Sequence, residues 1–191
     1  MQICFPGQKP NLTAWENRPI DARAGGPPLP NAHFDHHSRI VGVEPPGAPV
    51  PGGPFERAAA AVMSYRAFPE RVAYGVVNRT PVQLGDTVGL CYHLIPGVRV
   101  FFASRVVQVI NTEAPIYQRG FRYQTLHWHP EIGAETLCAE KVAETGAVRV
   151  YLDAWSLPAP WMRIWTPVAR AIQLAAGRDA LDHLERIAQN A

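Results

Sequence analysis

Apolar residues recur along this chain with two different periods, and the places where the period changes mark its elements. From Pro54, well suited to a first helical position, Phe55, Ala58, Ala59, Val62 and Tyr65 return every three or four residues. That spacing predicts one amphipathic helix reaching Phe68 and stopped by Pro69. From Arg71 to Leu157 the texture becomes β-branched and aromatic, and turn residues divide it into predicted strands over 71–79, 86–95, 98–111, 117–127, 134–143 and 147–156. Pro96-Gly97, Glu113 to Pro115, His129 to Gly133 and Glu144 to Gly146 supply the turns. Connections this short favour antiparallel pairing, because a parallel pair needs a long crossover. Beyond Leu157, Trp161, Ile164, Val168, Ile172, Ala175, Leu181, Leu184 and Ile187 form a helical stripe, with a bend expected at Pro167. Trp155, Trp161 and Trp165 are expected to pack that helix onto the sheet.

Eleven of the 19 prolines fall within the first 54 residues. Long helices and interior strands both need the amide hydrogen that proline lacks, so neither is expected there. Residues 1–35 read as a proline-rich arm and 36–191 as a single domain, opened by a short strand at His37 to Glu44. Strand, helix, long antiparallel sheet and long terminal helix, in that order, predict an α+β fold. A curved antiparallel sheet of about six to seven strands would be gripped by the C-terminal helix, with one further helix in the N-terminal half. A small β-barrel with an appended helix is the competing architecture.

The chain has 191 residues, 47% hydrophobic and 18% charged, which excludes global disorder. The net charge is only +2, and its 16 Arg and 2 Lys are scattered, so no nucleic-acid partner is expected. The longest charge-free apolar run, Thr87 to Val98, is too short to span a bilayer, and Met1 to Trp15 lacks the regions of an export signal. Cys4, Cys91 and Cys138, odd in number and widely spaced, fit neither a disulfide framework nor a thiolate zinc site and point to the cytoplasm. No Gly-x-Ser-x-Gly elbow, phosphate-cradling loop or dinucleotide fingerprint is present, so no cofactor is implied.

Strand parity brings candidate chemistry into view, since alternate side chains share a face. From Tyr117 to His127 one face carries Tyr117, Arg119, Phe121, Tyr123, Thr125 and His127. Glu135, Leu137 and Ala139 share a face on the next strand, as do Val148, Val150, Leu152, Ala154 and Ser156 on the last. Turned inward, these faces set Arg119, Thr125, His127, Glu135 and Ser156 within an apolar lining. Such an arrangement marks a small-molecule site, and equally a buried Arg119–Glu135 ion pair. On the ligand reading Phe102, Phe121, Tyr123, Leu137, Val150 and Leu152 line a cavity for a small hydrophobic or amphipathic molecule, while Arg119, Thr125, His127 and Glu135 orient its polar end. The pair His127 and His129, followed by Glu135, supports a second reading: a metal triad similar to that of cupin barrels, or acid–base chemistry. Pro130 ends the strand directly after His129, and the second cupin histidine motif has no counterpart here. A third reading is an interaction module built on the proline-rich arm and any exposed tryptophan.

The string Gly120-Phe121-Arg122-Tyr123-Gln124-Thr125-Leu126, then His129-Pro130 and Gly133-Ala134-Glu135, resembles the central motif of the domain-of-unknown-function (DUF) family nineteen-ninety. That family typically reads Gly-Phe-x-Tyr-Gly-Thr-Leu, His-Pro and Gly-Glu-Glu. Tyr65 to Pro69, Arg105 to Val107, Ser156 to Pro158, Pro167, Arg170 and Gln173 extend the similarity across about residues 36–185, with departures at Gln124, Ala134 and Leu157. The resemblance implies kinship with START-like and birch-pollen-allergen-like helix-grip proteins, which mostly bind apolar small molecules. It implies no settled activity.

Overall fold

Each alternating segment has one apolar face to bury, and in the computed structural model these faces meet in one curled sheet. The structure describes residues 1–190, apart from the side chains of residues 163–166 and 168. Strands β1 (Gln2–Cys4), β2 (His33–Val43), β3 (Ala73–Val76), β4 (Thr87–Ile95), β5 (Val98–Thr112), β6 (Ile116–Thr125), β7 (Glu131–Val142) and β8 (Ala147–Pro158) are joined by helices α1 (Thr13–Glu16), α2 (Pro54–Met63) and α3 (Thr166–Gln189), with a 3-10 turn over Pro160–Trp165. Seven strands run in the order β2-β8-β7-β6-β5-β4-β3, every pair antiparallel, and short β1 adds beside β5. The chain is a helix-grip α+β protein, with α3 lying across the concave face against β2, β8 and α2.

Two helices share that concave face. The buried side of α2, formed by Phe55, Ala58, Val62 and the residue-65 tyrosine that follows, packs into one end of the trough on Phe121, Leu137 and Val150. α3 covers the rest, where Leu181 and Leu184 join the same core. Its Gly177 lets the helix settle against β2, since a Cβ there would come within 2.8 Å of the His37 ring. The members Ile164 and Val168 of the predicted stripe, and Trp165, lie outside the described side chains.

Several element boundaries differ from the sequence expectation for identifiable reasons. α2 stops at Met63 rather than Phe68 because Tyr65 turns left-handed (φ 54°), dropping its ring edge-on to Phe121 and Tyr123. Pro167 is the second residue of α3 rather than an interior one, a position where its missing amide costs no hydrogen bond because the first-turn amides of a helix have no intrahelical acceptor. Trp161 sits in the 3-10 turn, 43% exposed, instead of packing helix onto sheet. β7 begins at Glu131, so the turn expected at His129 to Gly133 is completed earlier.

The N-terminal segment covers the convex side. β1 pairs with β5, and Leu12 and Trp15 pack on the outward-facing Cys91, Phe101 and Ala103. Arg18 stacks on the Trp15 ring at 4.1 Å. All three cysteines are buried and unpaired.

One buried ion pair ties the proline-rich loop after β2 to the sheet. Glu44 and Lys141, 1% and 0% exposed, approach to 2.9 Å. Lys141 also donates to the carbonyls of Pro45 (3.1 Å) and Ala48 (2.8 Å), while Glu44 accepts the backbone amides of Val50 (3.0 Å) and Phe55 (2.9 Å), the latter in the first turn of α2. Burial alone would raise the Glu44 carboxyl, but Lys141 and the two amides outweigh it and hold the group below its ordinary value. Removing one partner strands a buried charge. Lys141→Met is therefore expected to destabilise the protein by about 3 kcal/mol in urea unfolding, and adding Glu44→Gln to recover part of that loss.

Candidate ligand-binding cavity

Where α2 ends, the sheet and α3 part and leave between them a cavity of about 500 Å³. Strand register decides its floor. One row of inward residues crosses the sheet as His37, Leu152, Leu137 and Phe121, and the next as Asp35, Ala154, Glu135 and Tyr123. In the row beyond, His33, Ser156 and Gly133 face one another, and Thr125 Oγ1 accepts the Gly133 amide at 3.0 Å. Gly133 leaves the floor bare between Glu131 and Glu135; a Cβ there would come within 2.0 Å of the Trp155 carbonyl oxygen. Phe68, Leu90, Phe102, Met162 and Ile172 supply apolar wall. Leu94, 47% exposed, and Met1, 40% exposed, also line the cavity and mark where it reaches solvent.

The structure divides the residues singled out from the sequence. Phe102, Tyr123, Thr125, Glu135 and Leu152 line the cavity. Phe121, Leu137 and Val150 share the inward face but are buried in the core with α2. Arg119 does not meet Glu135: the register sets it opposite Ala139, and its guanidinium donates to Glu113 (2.8 Å) and to the Thr112 carbonyl (2.8 Å). His127 is exposed, since β6 ends at Thr125 and the alternation that would have turned it inward ends there too. Trp128 then takes a left-handed conformation (φ 70°), which sends His129 back into the cavity wall. His127, His129 and Glu135 therefore do not converge. Among the described residues no three His, Cys, Asp or Glu side chains are arranged to hold a metal ion.

Asp35, Glu131, Arg170 and Gln173, which the sequence reading did not assign to the site, complete the wall beside Ser156, Tyr123 and Glu135. Both oxygens of Asp35 on β2 accept from the Arg170 guanidinium on α3, joining helix to sheet. One turn on, Gln173 Nε2 donates to Glu131 Oε2 (2.8 Å) and Ser156 Oγ (3.2 Å). Tyr123 donates its hydroxyl to Glu135 Oε2 and accepts from Tyr65 at 3.4 Å. The i,i+3 spacing of Arg170 and Gln173 and the alternation His33, Asp35, His37 were the available signals.

A family model described as "Domain of unknown function (DUF1990)" matches residues 17–183. The chain belongs to the DUF1990 family. No curated protein matches the sequence. Among solved structures, a hypothetical protein, jhp0584, from Helicobacter pylori shares the fold, at 13% identity and a TM-score of 0.54 over 82% of this chain and 88% of that one. Looser overlaps include ginseng major latex-like protein 151 from Panax ginseng (10% identity, TM-score 0.45, 80% of this chain and 97% of that one) and Ara h 8.0201 (8%, 0.44, 81% and 98%).

In this DUF1990 protein the cavity perturbs its own ionisable groups. Burial pushes the Glu135 carboxyl up to about 7; the Tyr123 hydrogen bond opposes the shift and the Asp35 charge adds to it. Glu131 also rises to about 7, first through burial and then through Glu135. His129 falls to about 3 because it is buried, and its Nδ1 meets the Glu131 backbone, 2.9 Å from the carbonyl oxygen and 3.0 Å from the amide. The folded state thus holds the two glutamate protons more tightly than the unfolded chain, whose carboxyls ionise near 4.5. They stabilise the fold in acid, and that contribution disappears as pH rises from about 4.5 to about 7. Glu135→Gln is accordingly expected to match the parent in urea unfolding at pH 4.5 and to exceed it at pH 8 by on the order of 2 kcal/mol.

Proposed function

We propose that the protein binds a small hydrophobic or amphipathic molecule in the cavity between its sheet and C-terminal helix. The observation that carries this reading is the space of about 500 Å³ between sheet and α3, open to solvent at one side and walled largely by apolar side chains. That volume lies within the roughly 300 to 1,000 Å³ usual for small-molecule sites. Its polar groups converge on one stretch of floor and on the facing turn of α3, as a site that orients one end of a ligand requires. A void of this size in a core would ordinarily be closed by larger side chains, because unfilled apolar volume lowers stability. Here the facing positions carry Ala154, Ala169, Ala176 and Gly177 instead.

The neutral dye Nile red is expected to bind with enhanced fluorescence at micromolar concentration. Ala154→Phe, which fills the floor between Asp35 and Glu135, should weaken it at least tenfold while the far-ultraviolet circular dichroism stays unchanged. Equal binding by the folded variant would place the dye elsewhere and remove the support for the cavity.

A second reading, acid–base catalysis, is favoured by Glu135, a half-buried carboxyl at about 7 beside a phenol. It predicts that a molecule retained through purification and identified by native mass spectrometry is chemically altered on incubation with the parent protein and not with Glu135→Gln. Unaltered recovery from both would leave binding alone.

A further inference from the structure

The charges on the cavity wall define which amphipathic molecules fit, an inference that rests on the binding reading above. The wall carries the carboxyls of Asp35, Glu131 and Glu135 and one described guanidinium, Arg170. Arg170 is already committed, bidentate, to Asp35. Glu131 and Glu135, both lining the cavity, keep one oxygen each, Oε1, that meets no donor among the described residues. Four residues of extended chain separate them, about 13 Å between Cα atoms. The bare backbone of Gly133 lies midway, with Ser156 Oγ in the same cross-strand row. We propose that the cavity takes an amphipathic molecule bearing a protonated amine, seated over Gly133 between Glu131 and Glu135, with its hydrocarbon part against Leu90, Phe102 and Leu152. An anionic head such as a fatty carboxylate would meet the same two groups with like charge and no uncommitted cation among the described residues to receive it.

Among the described residues on the wall, the Met1 amino group and His129 do not supply that cation at mildly alkaline pH. The Met1 amino group, donating to the Trp128 carbonyl at 2.8 Å near the mouth, is lowered to about 6 by burial and by Arg18. His129 is neutral, and burial raises the phenols of Tyr92 and Tyr123. His33 and His37, the other ionisable groups among the described wall residues, come from β2. An alkylamine keeps its proton to about pH 10, as lysine does. Its affinity should therefore rise with pH while Glu131 and Glu135 ionise through about 7.

The test is displacement of Nile red from the full chain at pH 8.5 by three probes of equal chain length: decylamine, decanol and decanoic acid. Decylamine should displace the dye at a concentration at least tenfold below decanoate, with decanol between them. Its advantage over decanol should shrink several-fold at pH 6, and several-fold in Glu135→Gln and in Glu131→Gln, each read as the amine-to-alcohol ratio so that a general weakening cancels. Decanoate binding as tightly as decylamine, or a ratio unmoved in both variants, would overturn the amine assignment and leave the cavity reading standing. Failure of all three probes to displace the dye would overturn both.

Discussion

A sheet curled this strongly exposes more concave surface than a ten-residue helix can cover, and the molecule depends on how the surplus is closed. α2 packs into one end of the trough with side chains large enough to reach the floor. α3 spans the rest but carries Ala169, Ala176 and Gly177 where it faces the sheet, so it roofs the trough without filling it. What holds the roof down at the hollow is polar. Arg170 grips Asp35, and Gln173 bridges Glu131 and Ser156, while Leu181 and Leu184 anchor the helix in the core further on.

That division explains why residues of one strand face have different fates. Phe121, Leu137 and Val150 lie under α2 and are core; Tyr123, Glu135 and Leu152, close by on the same strands, face the cavity. It also accounts for the electrostatics. A carboxyl on the floor of an apolar hollow has lost water without gaining a cation, so its proton is held more tightly. Glu44, also withdrawn from water, has gained Lys141 and two amides and moves the other way. Burial is common to both, and the partner decides the sign.

The N-terminal segment has a comparable effect on the outer side. Phe101 and Phe102 are neighbours on β5, one facing out under Leu12 and Trp15 and the other facing the cavity. A strand apolar on both faces needs two covers, and the first sixteen residues supply the second.

Much of the fold was legible along the chain. Hydrophobic period alone separated α2, the antiparallel meander and α3, because burying one face of a helix or a strand imposes a spacing that local sequence must carry. Parity likewise assigned Tyr123, Thr125, Glu135 and Leu152 to the inward face, where they lie. The site beyond those residues was not legible, since nothing local encodes which strand lies beside which or how far a helix extends over a sheet. Register carried Arg119 away from Glu135 and brought Asp35 into the row of Glu135 and Tyr123. A single left-handed residue, Trp128, separated two histidines that a straight strand would have kept together. Residues as distant in sequence as Asp35, Glu131 and Arg170 became one polar site only when α3 closed over the sheet, because their proximity is a property of packing and not of spacing.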